Sequence, residues 1–211
     1  MGSSLNHPIV DQSFAIIDRE IGEHQLSPPE YAIARRVIHA TADFEYLKLL
    51  QFSSDAIDSG IAAIRSGMPI VTDVTMVKQG IRGLVAKTFN NTVIAAIDRA
   101  PISHPGKTRT ETGLLDCWSE YPEAIYVIGN APTALIALCQ QISQSGIVPS
   151  LVIGVPVGFV SVVESKQALE RLDVPQILIQ GRKGGSPAAA SILNALLVLA
   201  SERSIDEQLK K

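Results

Sequence analysis

The segment "AIYVIGNAPTALIALCQQISQS", residues 124–145, decides the fold of this chain. Its first residues are almost all apolar and often β-branched, which is typical of a strand buried on both faces. Gly129 ends that run, Pro132 suits the first turn of a helix, and the apolar residues that follow recur at helical spacing. The segment therefore predicts a strand, a short glycine-containing loop and a helix.

The same order of strand and helix recurs from residue 69 to residue 201. The predicted strands are residues 69–73, 92–98, 124–129, 150–155 and 176–181. The predicted helices that follow them are residues 74–80, 108–120, 132–145, 161–172 and 187–201. Strands that alternate with helices predict a mostly parallel sheet covered on both faces. We therefore predict an α/β fold, with three layers (α/β/α) and a sheet of about five strands, in a single domain over residues 1–211.

The N-terminal third predicts a helical segment instead of strands. Apolar side chains recur there at helical spacing, and Ser27 with Glu30 forms the pattern of a capping box at the start of one helix. The other two helical stretches predicted are residues 13–21 and 55–66. Residues 1–12 and the charged tail, residues 202–211, are expected to be frayed or flexible.

Composition limits the class of protein. The chain is 46% hydrophobic with a net charge of −3, which gives no electrostatic reason to expect nucleic acid or an anionic membrane as partner. The longest apolar segment, residues 191–200, is too short to span a membrane, and the N-terminus lacks a signal-peptide layout. We therefore expect a cytoplasmic protein. Cys117 and Cys139 fall in helical patterns and are predicted to be buried residues, not a disulfide or metal pair.

Three loops after predicted strands are rich in glycine or proline: residues 129–134, 154–160 and 181–190. Small residues let a ligand approach the backbone, and the helix that follows each loop aims its free N–H groups at it. Ligands of open α/β sheets bind at the carboxyl ends of strands, at a topological switch point. We therefore predict a shared pocket for an anionic organic ligand, helped by basic residues in or near the loops: Lys107, Arg109, Arg182 and Lys183. The alternative of simple tight turns and solvated charges stays open.

The motifs of several enzyme classes are missing from the sequence. Neither the G-x-G-x-x-G nor the G-x-x-x-x-G-K-[ST] pattern occurs, which disfavours a nucleotide-dependent enzyme. A G-x-S-x-G nucleophile elbow is also missing. The histidines are scattered without a zinc-binding spacing, so no metal site is expected.

His39 lies near the end of the helix that starts at Ser27, away from its apolar stripe. One interpretation is an exposed histidine, because a helix C-terminus favours positive charge. The other is a residue that exchanges protons with a ligand, as histidine does near neutral pH. This segment alone leaves both interpretations open.

Five segments together resemble the precorrin-8X methylmutase family of cobalamin biosynthesis, also called cobalt-precorrin-8 methylmutase in the anaerobic route. They are "SFAII" (13–17), "RRVIHATADFEY" (35–46), "GNAPTAL" (129–135), "PVGFVSVVESK" (156–166) and "GRKGGSPAAA" (181–190). The last three, in that order, form a specific combination. The resemblance covers residues 13–197 approximately, which is nearly the whole chain.

The resemblance implies an isomerase that moves a methyl group from carbon 11 to carbon 12 of a corrinoid ring, without a cofactor. The enzyme would convert precorrin-8X to hydrogenobyrinic acid, or cobalt-precorrin-8 to the cobalt-containing equivalent of that product. By the same resemblance His39 matches the acid/base residue, Ser13 a substrate contact beside it, and Arg109 an arginine near the site. Family members are homodimers that bind the tetrapyrrole at or near the subunit interface.

The substrate implied is a tetrapyrrole polycarboxylate, which agrees with the anionic ligand predicted from the loops. The candidate site is catalytic His39 with the substrate-binding residues Ser13, Arg109, Gly129, Asn130, Gly158, Arg182, Lys183, Gly184, Gly185 and Ser186. At residues 81–83 a threonine expected in some relatives is not kept, so no contact is assigned there. A non-catalytic corrinoid carrier stays an alternative, and the sequence leaves open whether the substrate contains cobalt.

Overall fold

The computed structural model describes residue 5 and residues 7–209. In that part of the chain the elements are α1 (Pro8–Ile21), α2 (Pro28–Thr41), α3 (Tyr46–Leu49), β1 (Leu50–Phe52), α4 (Ala56–Arg65), β2 (Ile70–Thr72), α5 (Thr75–Lys87), β3 (Val93–Ala95), α6 (Ala96–Arg99), α7 (Arg109–Glu120), β4 (Ile125–Ile128), α8 (Pro132–Ser145), β5 (Leu151–Gly154), α9 (Val162–Glu170), β6 (Gln176–Ile179) and α10 (Ser186–Leu209).

The strands form one sheet in the order β1-β6-β5-β4-β2-β3. The strands β2 to β6 run parallel to one another, and each lies inside the segment that the sequence predicts for it. β1 is an additional edge strand, antiparallel to β6, with Leu50 opposite Ile179. The sequence analysis missed β1 because its three residues, "LQF", are too few to show a strand period.

Helices cover both faces of the sheet, as the three-layer prediction requires. Ile125 and Val127 of β4 belong to one hydrophobic cluster, with residues of α2, α4, α5 and α10. Tyr126 and Ile128 belong to the other, with residues of α7, α8 and α9. This alternation follows from the two-residue period of a strand, and burial on both faces explains why β4 is apolar throughout. Both cysteines are free thiols buried in the second cluster, as predicted: Cys117 and Cys139.

The chain ends extend the two terminal helices. α1 begins at Pro8, since proline suits a first helical turn, so residues 8–12 are helical, and their expected flexibility stays a prediction. The charged tail continues α10 as far as Leu209. Arg203 of that tail pairs with Asp58 of α4 at 2.7 Å, a contact that the sequence pattern alone does not reveal. Of the ends expected to be flexible, residues 1–4, 6, 210 and 211 lie outside the described part of the chain.

α10 is longer than predicted and belongs to the core. Its part Ser186–Ile205 is long and apolar enough, with a mean hydropathy of 1.3, to pass a test for a membrane span, and 56% of it is buried inside the protein. The sequence analysis counted only residues 191–200 as apolar. The buried part of the helix begins before residue 191, because small residues such as Ala188 and Ala189, both fully buried, continue its packed surface.

The topology places the candidate loops at the carboxyl ends of the parallel strands. β3 and β4 lie on opposite sides of β2, so the switch point is between β2 and β4. Asp73 and Gly129 follow those two strands there. β5 and β6 are direct neighbours, so residues 155–161 and 180–185, which follow them, lie side by side.

Candidate active site

Ser13 and His39 meet where α1 packs on α2. The Ser13 Oγ lies 2.7 Å from the His39 Nδ1, although the two residues are 26 positions apart in the chain. The His39 side chain is exposed. Because Nδ1 faces the serine, Nε2 is the ring nitrogen left to meet a ligand. The structure thus brings together the pair that the resemblance implied.

A polar and aromatic network fixes α1 against α2 beside this pair. The Asp18 carboxylate accepts hydrogen bonds from the Tyr31 hydroxyl at 2.6 Å and from Arg35 at 2.9 Å. The Arg35 guanidinium also lies over the Phe14 ring, 4.4 Å from its centroid. The Phe14 ring in turn meets the His39 ring edge-on, with 5.5 Å between centroids. The position of the imidazole is therefore set by packing from one side and by Ser13 from another.

The start of α2 agrees with the sequence prediction. The backbone N–H of Ser27 donates to the Glu30 carboxylate at 2.8 Å, as a capping box requires. At the other end Ala42 takes a left-handed conformation, with φ 53°, and ends the helix just after His39.

The residues after α2 connect His39 to the loop that follows β6. The Lys183 ammonium pairs with the Asp43 carboxylate at 2.5 Å and with Glu45 at 3.0 Å. Its hydrogen bonds to Asp43 and Glu45 raise the pKa of Lys183. The Tyr46 hydroxyl donates to the Gly184 carbonyl at 3.3 Å. Lys183, predicted to grip substrate, is therefore already paired within the chain, and it ties the histidine end of α2 to the loop.

Arg182 has a different environment from its neighbour Lys183. Its guanidinium lies 5.7 Å from the centroid of the Phe159 ring, and Phe159 is 85% exposed. Among the ion pairs within residues 5 and 7–209, none involves Arg182. The loops thus present a positive charge beside an exposed aromatic ring. Phe159 is not among the residues predicted from the sequence, although an aromatic residue in a loop of glycine and proline indicates a contact surface.

The loops after β5 and β6 are joined through their backbones. The N–H of Gly158 donates to the Arg182 carbonyl at 3.3 Å, and the N–H of Gly185 donates to the Val155 carbonyl at 2.9 Å. Gly184 has φ 148°, and a Cβ there would lie 2.2 Å from the Val155 carbonyl oxygen. Only glycine permits this approach. Ser186, also a predicted contact, begins α10 at the end of the loop and is buried.

The loop at the switch point surrounds an internal carboxylate. The buried Asp73 carboxylate accepts hydrogen bonds from the N–H groups of Gly129 at 3.1 Å, Asn130 at 2.6 Å and Ala131 at 2.8 Å. It also accepts from the N–H of Val74 at 2.9 Å. Burial raises the pKa of Asp73, and these donors oppose the rise. An internal carboxylate thus already takes these three N–H groups, and the predicted substrate contacts of Gly129 and Asn130 stay predictions.

Gly129 has a packing role at this point. A Cβ at Gly129 would lie 2.8 Å from the Ala189 Cβ and 3.0 Å from the Ser186 Cα. The glycine thus lets the start of α10 approach the sheet. The exposed side chain of Asn130 stays a prediction as a substrate contact.

Arg109 lies at the start of α7, on the β3 side of the sheet. Its Nε donates to the Ala100 carbonyl at 2.9 Å and its Nη2 to the Ile97 carbonyl at 3.2 Å. Four strand steps separate β3 from β6, about 19 Å at roughly 4.8 Å per step. Arg109 therefore holds the segment after α6, and its predicted substrate contact stays a prediction.

The described residues offer no ready metal site. Within residues 5 and 7–209 no group of three or more His, Cys, Asp or Glu side chains is placed to hold a metal ion. What the site presents is a histidine–serine pair, an arginine and an exposed aromatic ring.

Comparison with known proteins identifies the family. The family model described as precorrin-8X methylmutase matches residues 8–199. A cobalt-precorrin-8 methylmutase from Synechocystis sp. is 59% identical over 210 residues, covering 93% of this chain and 97% of the relative. A cobalt-precorrin-8 methylmutase from Leptospira interrogans is 41% identical, with 95% and 97% covered. The crystal structure of precorrin-8X methyl mutase from Thermus thermophilus superposes with a TM-score of 0.85 at 40% identity, covering 94% of this chain and 98% of that one. The chain belongs to the precorrin-8X methylmutase family.

Proposed function

We propose that this chain is an isomerase that moves a methyl group from carbon 11 to carbon 12 of precorrin-8X or its cobalt-containing equivalent. The single observation that carries the proposal is the Ser13–His39 contact on an exposed surface beside a cationic loop. A rearrangement within one molecule needs a positioned proton donor and a grip on the substrate, and no second substrate. The site offers those two elements.

In the proposed mechanism the His39 Nε2 gives a proton to the corrinoid ring. Protonation draws electron density away from the accepting carbon, the methyl group moves with its bonding electron pair, and the bond at carbon 12 forms as that at carbon 11 breaks. Loss of a proton from the ring then restores its charge, and the imidazole takes a proton back. The composition of substrate and product is the same. Ser13 holds the imidazole through Nδ1, so that Nε2 faces the ring.

Substrate recognition would divide between charge and apolar surface. Acetate and propionate groups at the rim of the macrocycle suit Arg182, since an unpaired guanidinium binds carboxylates through charge-assisted hydrogen bonds. The faces of the macrocycle suit Phe159, which is 85% exposed, and Val160, which is 82% exposed.

We also propose a cytoplasmic homodimer. Several large apolar side chains at the same edge of the sheet are exposed in the single chain, and such a patch commonly marks a surface that a partner covers. They are Met76, Ile102, Phe159 and Val160. A two-fold contact there would enclose the substrate between two chains. Light scattering at micromolar concentration should give the mass of a dimer, and a fully active monomer would contradict this part of the proposal.

We further propose that the substrate contains cobalt, because both curated relatives described above are named for the cobalt form. The test is to mix the purified chain with metal-free precorrin-8X and, separately, with cobalt-precorrin-8, and to follow the absorbance spectrum over many equivalents. Continued conversion beyond one equivalent supports an enzyme. A spectral change that stops at stoichiometric binding would instead support a carrier. Faster turnover of the metal-free ring would contradict the cobalt assignment.

A further inference from the structure

Lys166 of α9 is a buried charged residue that the proposed mechanism does not use. It is 5% exposed. Its Nζ donates to the Gly181 carbonyl at 2.8 Å and to the Lys183 carbonyl at 2.6 Å. Both acceptors belong to the loop after β6, which we call the 181–185 loop. An ammonium group is rarely buried unless it is paired or hydrogen-bonded, and here its partners are the backbone of this one loop.

The other carbonyls of the 181–185 loop are held in the same way. The Arg182 carbonyl accepts from the N–H of Gly158, and the Gly184 carbonyl accepts from the Tyr46 hydroxyl. Every carbonyl from residue 181 to residue 184 thus has a donor within the protein. Carbonyl oxygens carry the partial negative charge of the backbone. With those oxygens occupied by internal donors, the loop has less negative charge to repel an approaching carboxylate.

The positive charges around the 181–185 loop also favour an approaching carboxylate. A buried ammonium lies under the 181–185 loop, the N-terminus of α10 follows it at Ser186, and Arg182 projects from it. A helix N-terminus carries a partial positive charge. These features add to one another at a place where the substrate proposed above would bring carboxylates.

We propose that Lys166 is a positioning residue for substrate binding: its buried ammonium holds the 181–185 loop by two carbonyls and so fixes the loop, and Arg182 with it, in the form that binds a carboxylate of the corrinoid. The inference rests on the proposed function for the identity of the ligand. Lys166 acts through the loop and does not touch the substrate.

The test compares Lys166→Met, which keeps the length of the side chain and removes its charge, with Lys166→Gln, which keeps one neutral donor. Lys87→Met is the matched control, because Lys87 is an exposed lysine at the end of α5. Hydrogenobyrinic acid, the metal-free product, serves as the binding probe, and near-ultraviolet circular dichroism reports the fold. Steady-state kinetics on cobalt-precorrin-8 and, in parallel, on precorrin-8X give KM and kcat.

We expect Lys166→Met to raise Kd and KM about 10- to 100-fold, the scale of one or two lost charge-assisted hydrogen bonds, with a much smaller change in kcat. Lys166→Gln should lie between wild type and Lys166→Met, and Lys87→Met should match wild type. Tyr46→Phe removes only the donor to Gly184 and should raise Kd about 2- to 5-fold, the scale of one neutral hydrogen bond. It keeps the proposal testable if Lys166→Met does not fold.

A folded Lys166→Met or Lys166→Gln variant with wild-type Kd would overturn the role of Lys166. A fall in kcat with an unchanged KM would overturn it as well, since a binding loop acts on affinity. If Lys166→Met does not fold, the role of Lys166 is overturned when Tyr46→Phe and Lys166→Gln both bind the probe with wild-type Kd. Failure of the wild-type chain to convert precorrin-8X or its cobalt form is a separate result, because it contradicts the proposed function while the binding comparison can still be made.

Discussion

Two loops at the same edge of the sheet bind buried charges of opposite sign through their backbones. The loop after β4, residues 129–131, gives its N–H groups to the buried carboxylate of Asp73. The 181–185 loop after β6 gives its carbonyls to internal donors, among them the buried ammonium of Lys166. The N–H groups of the first loop are thus occupied by the Asp73 carboxylate, and carbonyls of the second are held by the Lys166 ammonium.

This difference shows where an external anion can bind. The general rule for open α/β sheets places the ligand at the switch point, which here lies between β2 and β4. In this chain the Asp73 carboxylate lies at that point and accepts hydrogen bonds at the start of α8, whose N-cap residue, Ala131, has no side chain able to cap the helix. Arg182, which takes part in none of the ion pairs among residues 5 and 7–209, projects from the 181–185 loop instead, two strands away.

The largest effect is expected on kcat, at His39. The segment after His39 is tied to the 181–185 loop by the ion pair between Asp43 and Lys183. His39→Gln keeps a hydrogen-bonding group but cannot deliver a proton, so its kcat should fall about 10²- to 10⁴-fold. The melting temperature and Kd should stay near wild type, since surface substitutions usually change stability by about 0.5 kcal/mol or less. Stopped-flow or steady-state turnover is the measurement. A glutamine variant that runs at the wild-type rate would reduce His39 to a binding contact.

The next effect is expected on the free energy of unfolding, at Asp73 beside residues 129–131. Asp73→Asn replaces a carboxylate oxygen by an amide N–H₂ that faces backbone donors, which should lower the free energy of unfolding by about 3 kcal/mol. Asp116→Asn, on the exposed side of α7, is the matched control and should be nearly neutral. Urea unfolding measures both. If Asp73→Asn unfolds at the wild-type urea concentration, the carboxylate does not organise residues 129–131.

A further effect concerns the pH dependence of the free energy of unfolding. Burial lowers the pKa of Lys166 to about 8, from 10.5 in an unfolded chain. Between pH 8 and pH 10.5 the unfolded state therefore binds more protons at this residue, and its contribution to stability rises with pH. Of the charged groups near it, Glu170 lines the same cavity as Lys166. Lys183, whose carbonyl accepts a hydrogen bond from Lys166, pairs through its own ammonium with Asp43 and Glu45.

Burial raises the pKa of Cys117 to about 11 and that of Cys139 to about 12, so these thiols lose their protons earlier in the unfolded chain and also change stability in this range. The comparison must therefore be between variants. Across pH 8 to 10.5 the free energy of unfolding of wild type should rise relative to that of Lys166→Met. Urea unfolding at half-unit steps of pH follows the difference. A difference that is flat across this range would mean that the Lys166 amine keeps its proton in the folded chain.

The fold could be predicted from sequence because its signals are local. The strands β2 to β6 are short apolar segments bounded by turn residues, and the helices between them show their own period. β1 could not be predicted, since three residues at a sheet edge are held by their partner β6 and not by a pattern of their own. The sequence pattern does not show how far α1 and α10 extend, because contacts with distant helices, such as that of Arg203 with Asp58, help to decide where a terminal helix ends.

The site was less accessible to sequence reasoning. The pairing of Ser13 with His39 came from the family resemblance, because nothing local joins residues 26 positions apart. The sequence does contain signals for the two buried charges, Asp73 and Lys166. Asp73 directly follows a buried strand in "PIVTD", where a carboxylate meets the strand-end backbone. Lys166 shares a helical face with Val162 and Leu169, both buried, and a charge on an apolar face requires internal partners.

The central claim is that the substrate's carboxylates bind at the 181–185 loop, where positive charge is left unpaired. The most direct test is the Kd for hydrogenobyrinic acid of wild type, Arg182→Gln and Arg99→Gln over a range of salt concentration. Arg99 is the matched control because Glu120 already pairs with it at 3.1 Å. We predict that Arg182→Gln binds about 10- to 100-fold more weakly, with a shallower salt dependence, and that Arg99→Gln matches wild type. An Arg182→Gln variant with wild-type Kd and wild-type salt dependence would contradict the account.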